Sequence, residues 1–257
     1  VCRPTLPPTE KTRDVVAQRN CETVLVEEEE LVADQVAYYR ARAPIYDEWW
    51  QRSGAYDRGP EMHVEWNRQL DQVEEELRTF SVSGNVLELA GGTGWWTERL
   101  AQSADQLTVV DSSPEVLEIN RKRTARVDVE YIVADLFAWV PTSRYDVVFF
   151  SFWLSHVPRQ RCGAFWSMVK SCLAPGGRVF LIDNHSDPHI AERDFQDPYV
   201  IHYEPDRHIR RLDDGREYSV VKVMYEPDEL ARQLTGLGWA ADIKATRWFL
   251  YGAAHPR

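Results

Sequence analysis

The stretch Val86-Leu87-Glu88-Leu89-Ala90-Gly91-Gly92-Thr93-Gly94 constrains this chain more than any other. A short apolar run ends in a glycine cluster, and a helical pattern follows. That is the junction of a first strand with a first helix, where glycines let the backbone turn tightly and let a ligand lie against it. Three ligand classes compete for such a junction. A dinucleotide fingerprint needs a third glycine three positions after the second. Counting from Gly92 and Gly94 that position is Thr97, so the fingerprint fails at its last element. A P-loop needs Gly-Lys-Ser/Thr, and no lysine is near. The remaining ligand is a nucleoside that carries an amino acid and no pyrophosphate.

The texture around this motif sets the fold class. Further strands are predicted over 107–111, 129–134, 145–150 and 178–183, with helical patterns between them. Strands alternating with helices imply βαβ units, an α/β protein and a mostly parallel sheet. Strands over 218–225 and 243–252 bring the count to seven and suit a final antiparallel pair. Ahead of the sheet, 1–26 is proline-dotted and aperiodic and reads as a tail. Residues 27–80 read as a helical cap or lid, and 81–257 as the α/β domain. The segment 184–217 carries mixed charge without a period, and loops of that length are usually functional. It is expected on the acceptor side of the site.

Charge and composition remove several partner classes. A net charge of −11 opposes a phosphate-backbone partner, which needs a basic field. No apolar run approaches the roughly 18 residues of a membrane span, and no signal-peptide pattern opens the chain. The expectation is a cytoplasmic protein. Cys2, Cys21, Cys162 and Cys172 form no CxxC, so no disulfide framework is expected, and Cys162 and Cys172 read as packing residues.

Acidic residues close the first three strands in order: Glu88, Asp111 and Asp135. A carboxylate after the second strand accepts bonds from ribose hydroxyls, and the third strand end reads an adenine edge. The series VLELAGGTG, TVVDSSPEVL, VADLF, YDVVFFSFWLSHV and LAPGGRVFLID resembles class I S-adenosylmethionine (SAM)-dependent methyltransferases of the small-molecule type, over nearly the whole chain. The resemblance implies a Rossmann-like, mostly parallel seven-stranded sheet with helices on both faces and an amino-terminal helical lid. It implies SAM as cofactor and methyl transfer to a small organic acceptor at O, N or C by direct displacement. Glu88 and Gly92 would flank the methionine part, together with Ala90, Gly91 and Gly94. Asp111 and Ser112 would hold the ribose, and Asp135 and Leu136 the adenine. One departure is visible: Ala90 stands where the family usually has glycine, and a slight shift of the cofactor is expected.

A sulfonium cation attracts aromatic faces. Tyr39 and Tyr46, in YYRARAPIYDEWW, resemble the tyrosines of the family's amino-terminal cap, and Phe152 and Trp153 follow the fourth strand. All four are candidate cofactor contacts. Trp49, Trp50 and Trp96 read as core. His156, just beyond the fourth strand, is the candidate general base. Trp153, Asp183, Asn184 and His185 are expected on the acceptor side. The cluster Arg207, Arg210 and Arg211 reads as a solvated face or as a seat for an acidic acceptor. No spacing of His156, Asp183 and His185 supports a metal site. Two other functions compete: an RNA or protein methyltransferase, and a non-catalytic SAM-binding protein. The DNA-methylase tetrad and the Pro-Cys nucleophile are both absent after the fourth strand, which carries Ser151-Phe152-Trp153-Leu154. The oligomeric state is not readable.

Overall fold

The computed structural model describes residues 27–124, 128–185 and 197–257. The expected tail over 1–26, with Cys2 and Cys21, lies outside them, as does 186–196 of the charged segment. A helix, α1, covers 27–42. It is followed by the one-turn α2 (Glu48–Gln51) and the long α3 (Pro60–Phe80). Proline at the first turn opens α3, and Ser81, in the left-handed conformation, closes it. Its buried residues Trp66, Leu70, Val73, Leu77 and Phe80 recur at three- and four-residue intervals, so one stripe packs on the sheet.

The main sheet has seven strands. They are β1 (Asn85–Leu89), β2 (Gln106–Asp111), β3 (Val129–Val133), β4 (Tyr145–Ser151), β5 (Leu173–Asn184), β9 (Trp239–Ala245) and β10 (Phe249–Pro256), in the order β3-β2-β1-β4-β5-β10-β9. β1 pairs in parallel with both β2 and β4, while β10 runs antiparallel between β5 and β9. The chain therefore reverses its direction of winding at β1 and β4. Sheets of this kind bind ligands beyond the carboxyl ends of the strands at that switch. The fold is the Rossmann-like methyltransferase fold that the motifs implied.

Alternation along the strands divides the core. Leu87, Leu89, Val148 and Phe150 face the layer of α6 (Cys162–Cys172) and α7 (Pro227–Gly236). Val86, Val147 and Phe149 face α3 and the helices α4 (Thr97–Leu100) and α5 (Pro114–Thr124). This period of two is what a sheet covered on both faces requires. Cys162 and Cys172 are buried free thiols in α6, the packing role expected of them.

Two expectations about the carboxyl-terminal part need correction. The run expected as one strand over 243–252 is two strands joined across 246–248. Its partner in the final antiparallel pair is the segment from Trp239, not 218–225. The 218–225 run leaves the main sheet. Its first half, as β8 (Glu217–Val221), pairs with β7 (Arg207–Arg211), which pairs with β6 (Val200–Glu204). The segment read as aperiodic thus contains two strands of a small antiparallel sheet. Tyr38 of α1 packs on that sheet with Tyr199, Leu212, Tyr218 and Val220. Among the described residues, no helix is long and apolar enough to cross a membrane.

Candidate active site

At the carboxyl ends of β1 and β2 the backbone is shaped by hydrogen bonds that local sequence makes available. The Asp111 carboxylate accepts the N–H of Gly92 at 3.0 Å and of Ser113 at 2.9 Å. It thus holds the glycine loop against the second strand. Burial raises its pKa above the usual carboxylate range, opposed by these N–H donors. From α5, the Asn120 side chain donates to the carbonyls of Gly91 and Gly92 and to the Thr97 hydroxyl, at 3.3, 3.2 and 2.7 Å. A Cβ on Gly94 would sit 2.6 Å from Asn120, and one on Gly91 would sit 2.3 Å from Val109. Those two glycines are spent on packing the loop against β2 and α5. Ala90 has φ 52° and Phe152 φ 51°, so both strand ends at the switch are held in the left-handed region by non-glycine residues.

A cavity opens above this loop. Ala90, Gly92, Asp111, Ser112, Asp135, Leu136, Phe152, Trp153 and His156 line it from the sheet side. Val32, Gln35, Val36 and Tyr39 of α1 roof it with Tyr46. Three expected cofactor contacts are not in its lining. Gly91 and Gly94 lie behind the loop. Glu88 is fully buried beneath it, where its carboxyl accepts the Thr97 hydroxyl at 2.5 Å. Burial pushes the Glu88 pKa up to about 8, so the group is held protonated at neutral pH. The Asp135 carboxylate turns its own loop by accepting the N–H of Phe137 at 2.9 Å.

The cap is tied down at several places, among them pairs of Glu28 with Arg161 and of Asp34 with the Ser219 N–H. Asp47 accepts the Thr93 hydroxyl at 2.6 Å and pairs with Arg123 of α5. Arg40 forms a bidentate pair with Glu115, at 2.6 and 3.1 Å. Gln35, which the motif reading missed, joins three segments. Its amide donates to the His156 carbonyl at 3.2 Å and accepts the Val221 N–H at 3.1 Å.

Comparison with known proteins places this architecture. Residues 86–177 match a family model described as a methyltransferase domain. A DhpI–SAH complex is 36% identical in sequence with a TM-score of 0.72, over 89% of this chain and 98% of that one. A DhpI–SAM–HEP complex, also 36% identical, has a TM-score of 0.73 over 88% of this chain and 98% of that one. The chain belongs to the SAM-dependent methyltransferases. A demethylmenaquinone methyltransferase of Clavibacter sepedonicus is 34% identical over 140 residues, 53% of this chain and 56% of that protein. The chain thus spans little more than half the length of that curated relative.

The methyltransferase has a second chamber of about 300 Å³ beside the first, and Tyr39, Tyr46, Phe152 and His156 line both. Its remaining wall comes from the cap (Arg42, Trp49, Arg52), from the end of β5 (Asn184, His185) and from the small sheet (His208, Arg210). Of the expected arginine cluster only Arg210 turns inward. Arg207 pairs with Glu204 and Arg211 with Glu217 at the surface. Trp153 lines the first cavity, packed on Phe137 at 5.5 Å between ring centres, and is not part of the second chamber. Asp183 is buried behind the chamber, where it accepts the Ser155 N–H. Trp50 and Trp96 are core, as expected, whereas Trp49 reaches the chamber. Lys222, a lone lysine in the apolar run SVVKVMY, enters the wall with its ammonium donating to Ser155 Oγ at 2.8 Å. That interruption of an apolar strand was the sequence signal for it.

His156 sits where the two cavities meet, and its hydrogen bonds fix its tautomer. Nδ1 lies 2.7 Å from the Val221 carbonyl, which only accepts, so Nδ1 carries the proton. Nε2 then accepts the Tyr39 hydroxyl at 2.7 Å. Burial, followed by the cations of Lys222 and Arg210, holds the His156 pKa well below its ordinary value. The imidazole is neutral and both its nitrogens are engaged.

Proposed function

We propose that the protein transfers the methyl group of SAM to a small organic acceptor held in the second chamber. The observation that carries this reading is the wall shared by the two cavities: four side chains separate a SAM-type cavity from a chamber of small-molecule size. When bound, SAM supplies a methyl on a sulfonium: the acceptor's lone pair forms the new bond to carbon as the carbon–sulfur pair leaves with sulfur. The residues suited to hold it fit its chemistry. Asp111 offers a half-buried carboxylate for the ribose hydroxyls, Asp135 and Leu136 an edge and an apolar face for the adenine, and Gly92 an open backbone surface. Tyr39, Tyr46 and Phe152 present aromatic faces where the cation would lie. Alignment of acceptor, methyl and sulfur in a water-poor site supplies the rate, and no base is required of the protein when the acceptor atom already bears a free lone pair. His156 positions Tyr39.

Calorimetry is expected to show binding of SAM and SAH and none of NAD, with Asp111→Ala weakening SAM by about 1.5–3 kcal/mol. Labelled SAM incubated with the protein and a small-molecule extract is expected to yield a labelled product. SAM binding without transfer to any fraction would instead mark a non-catalytic SAM-binding protein. His156→Gln is expected to lower turnover by the same factor at every pH. A deficit that recovers as pH rises through the acceptor's pKa would restore the histidine as a base.

A further inference from the structure

The second chamber is walled by more cations than its described carboxylates balance: Lys222 lies 3.9 Å from Asp183 and Arg210 3.4 Å from Asp197, while Arg42 and Arg52 have no carboxylate partner among the described residues. Arg42 and Arg210 are 3% and 4% exposed, and the Nε of each is buried with no hydrogen-bond partner. Asp197 is the one carboxylate in the chamber wall among the described residues. Both of its oxygens are engaged: Oδ2 lies 3.4 Å from Arg210 Nη2, and Oδ1 accepts the Tyr56 hydroxyl at 2.9 Å. Arg42 spends one Nη on the neutral oxygen of Tyr56, at 2.6 Å. The Arg52 guanidinium lies 3.4 Å from the centre of the Trp66 ring and forms no ion pair among the described residues. Burial brings Arg52 down to about 9 and Lys222 to about 8, against the opposing pull of Tyr56 on Arg52 and of Asp183 on Lys222. Gathering so many cations away from water costs several kcal/mol each unless an opposite charge joins them. A guanidinium with a free edge is shaped for an oxyanion, which it meets through parallel N–H donors.

We propose that the acceptor is an anion, a small molecule whose phosphoryl or carboxylate group is held by Arg42, Arg52 and Arg210. This rests on the methyl-transfer reading and names the class of acceptor for it. An anion bound there brings a countercharge to Arg42 and Arg52, which have no carboxylate partner among the described residues. Where the ionised oxygen is itself the atom methylated, its lone pair forms the bond to the methyl carbon as sulfur leaves, and no proton has to be removed.

Anion binding is measurable without turnover. Inorganic phosphate and malonate are the probes, titrated by calorimetry into the SAH-loaded protein and into the protein alone. At least one of them is expected to bind, phosphate alone marking a phosphoryl group and malonate alone a carboxylate. Arg210→Gln and Arg52→Gln are each expected to weaken that binding about tenfold or more, the scale of a lost charge-assisted hydrogen bond. SAH affinity should stay unchanged in both. Arg52 is only partly buried, so its variant keeps the test open if Arg210→Gln fails to fold. Arg216→Gln, an exposed arginine paired with Asp214, should bind the anion as the parent does. Absence of binding by both probes with SAH affinity intact would overturn the anionic acceptor and leave methyl transfer standing. Anion binding that ignores both Arg52→Gln and Arg210→Gln would overturn it too. Anion binding in a protein that does not take up SAH would instead remove the methyl-transfer reading.

Discussion

Ala90 shows how much one residue carries here. Its place in VLELAGGTG was read as a position where a small side chain would shift the ligand slightly. The structure gives a different consequence. The residue has φ 52°, a conformation that costs an L-residue about 1–2 kcal/mol and glycine nearly nothing. The penalty falls on the backbone. Ala90→Gly should therefore stabilise the fold by about 1 kcal/mol, raising Tm by about 2–4 °C in a domain of this size. A calorimetric scan that shows an equal or lower Tm would contradict the strain. Glu88 makes a second residue-scale case. It was legible as an acidic strand end but not as a buried acid, because burial depends on the loop folding over it. Its folded pKa of about 8 lies above the ordinary 4.5, so the folded state binds a proton that the unfolded chain releases. Stability is then greatest below about pH 4.5 and falls as pH rises toward 8. Glu88→Gln keeps the acceptor for Thr97 and never ionises. Its advantage over the parent in urea unfolding should be smallest near about pH 4 and clear near about pH 9. Equal differences at both pH values would show that Glu88 does not titrate in this way.

At the scale of elements, the sheet was legible wherever a strand is apolar on both faces. The runs ending in Leu89, Asp111 and Ser151 are buried almost throughout, and their sequences say so. The small sheet was not legible, because β6 and β7 are mostly exposed or half-buried and read HIRR-like rather than apolar. They become strands by pairing in series with β8, whose Tyr218 and Val220 pack on Tyr38 of α1. The lining of the first cavity was legible in its loop residues, since the turns they make are local. The chamber was not, because Arg42, Arg52, Arg210 and Lys222 are far apart in the chain and meet only when the cap lies on the small sheet. Among the bonds that hold the cap, two sets reach the glycine loop and α5. Asp47 joins it to Thr93 and Arg123, and Arg40 joins it to Glu115. Asp47→Asn should speed SAH dissociation in stopped-flow experiments and lower affinity by up to about tenfold. In the parent, amides over 27–60 should gain protection from hydrogen exchange when SAH is added. Exchange indifferent to SAH would show that these residues do not move as a cover.

For the whole molecule, the decisive feature is that one helix completes both compartments. α1 sends Val32, Gln35 and Tyr39 over the cofactor cavity and Arg42 into the chamber beside it. On the proposed function, one helix would cover both cofactor and acceptor. We expect such a shared cover to impose an order, with the nucleoside entering before the acceptor and the products leaving only when the helix lifts. Bond-making is then expected to be quick compared with egress. Mixing the loaded enzyme with acceptor in a quench-flow instrument should release an initial burst approaching one methylated product per protein, followed by a slower steady rate. An excess of acceptor should trap spent SAH behind it and depress that steady rate. A linear time course from the first turnover would mean that the two compartments empty independently.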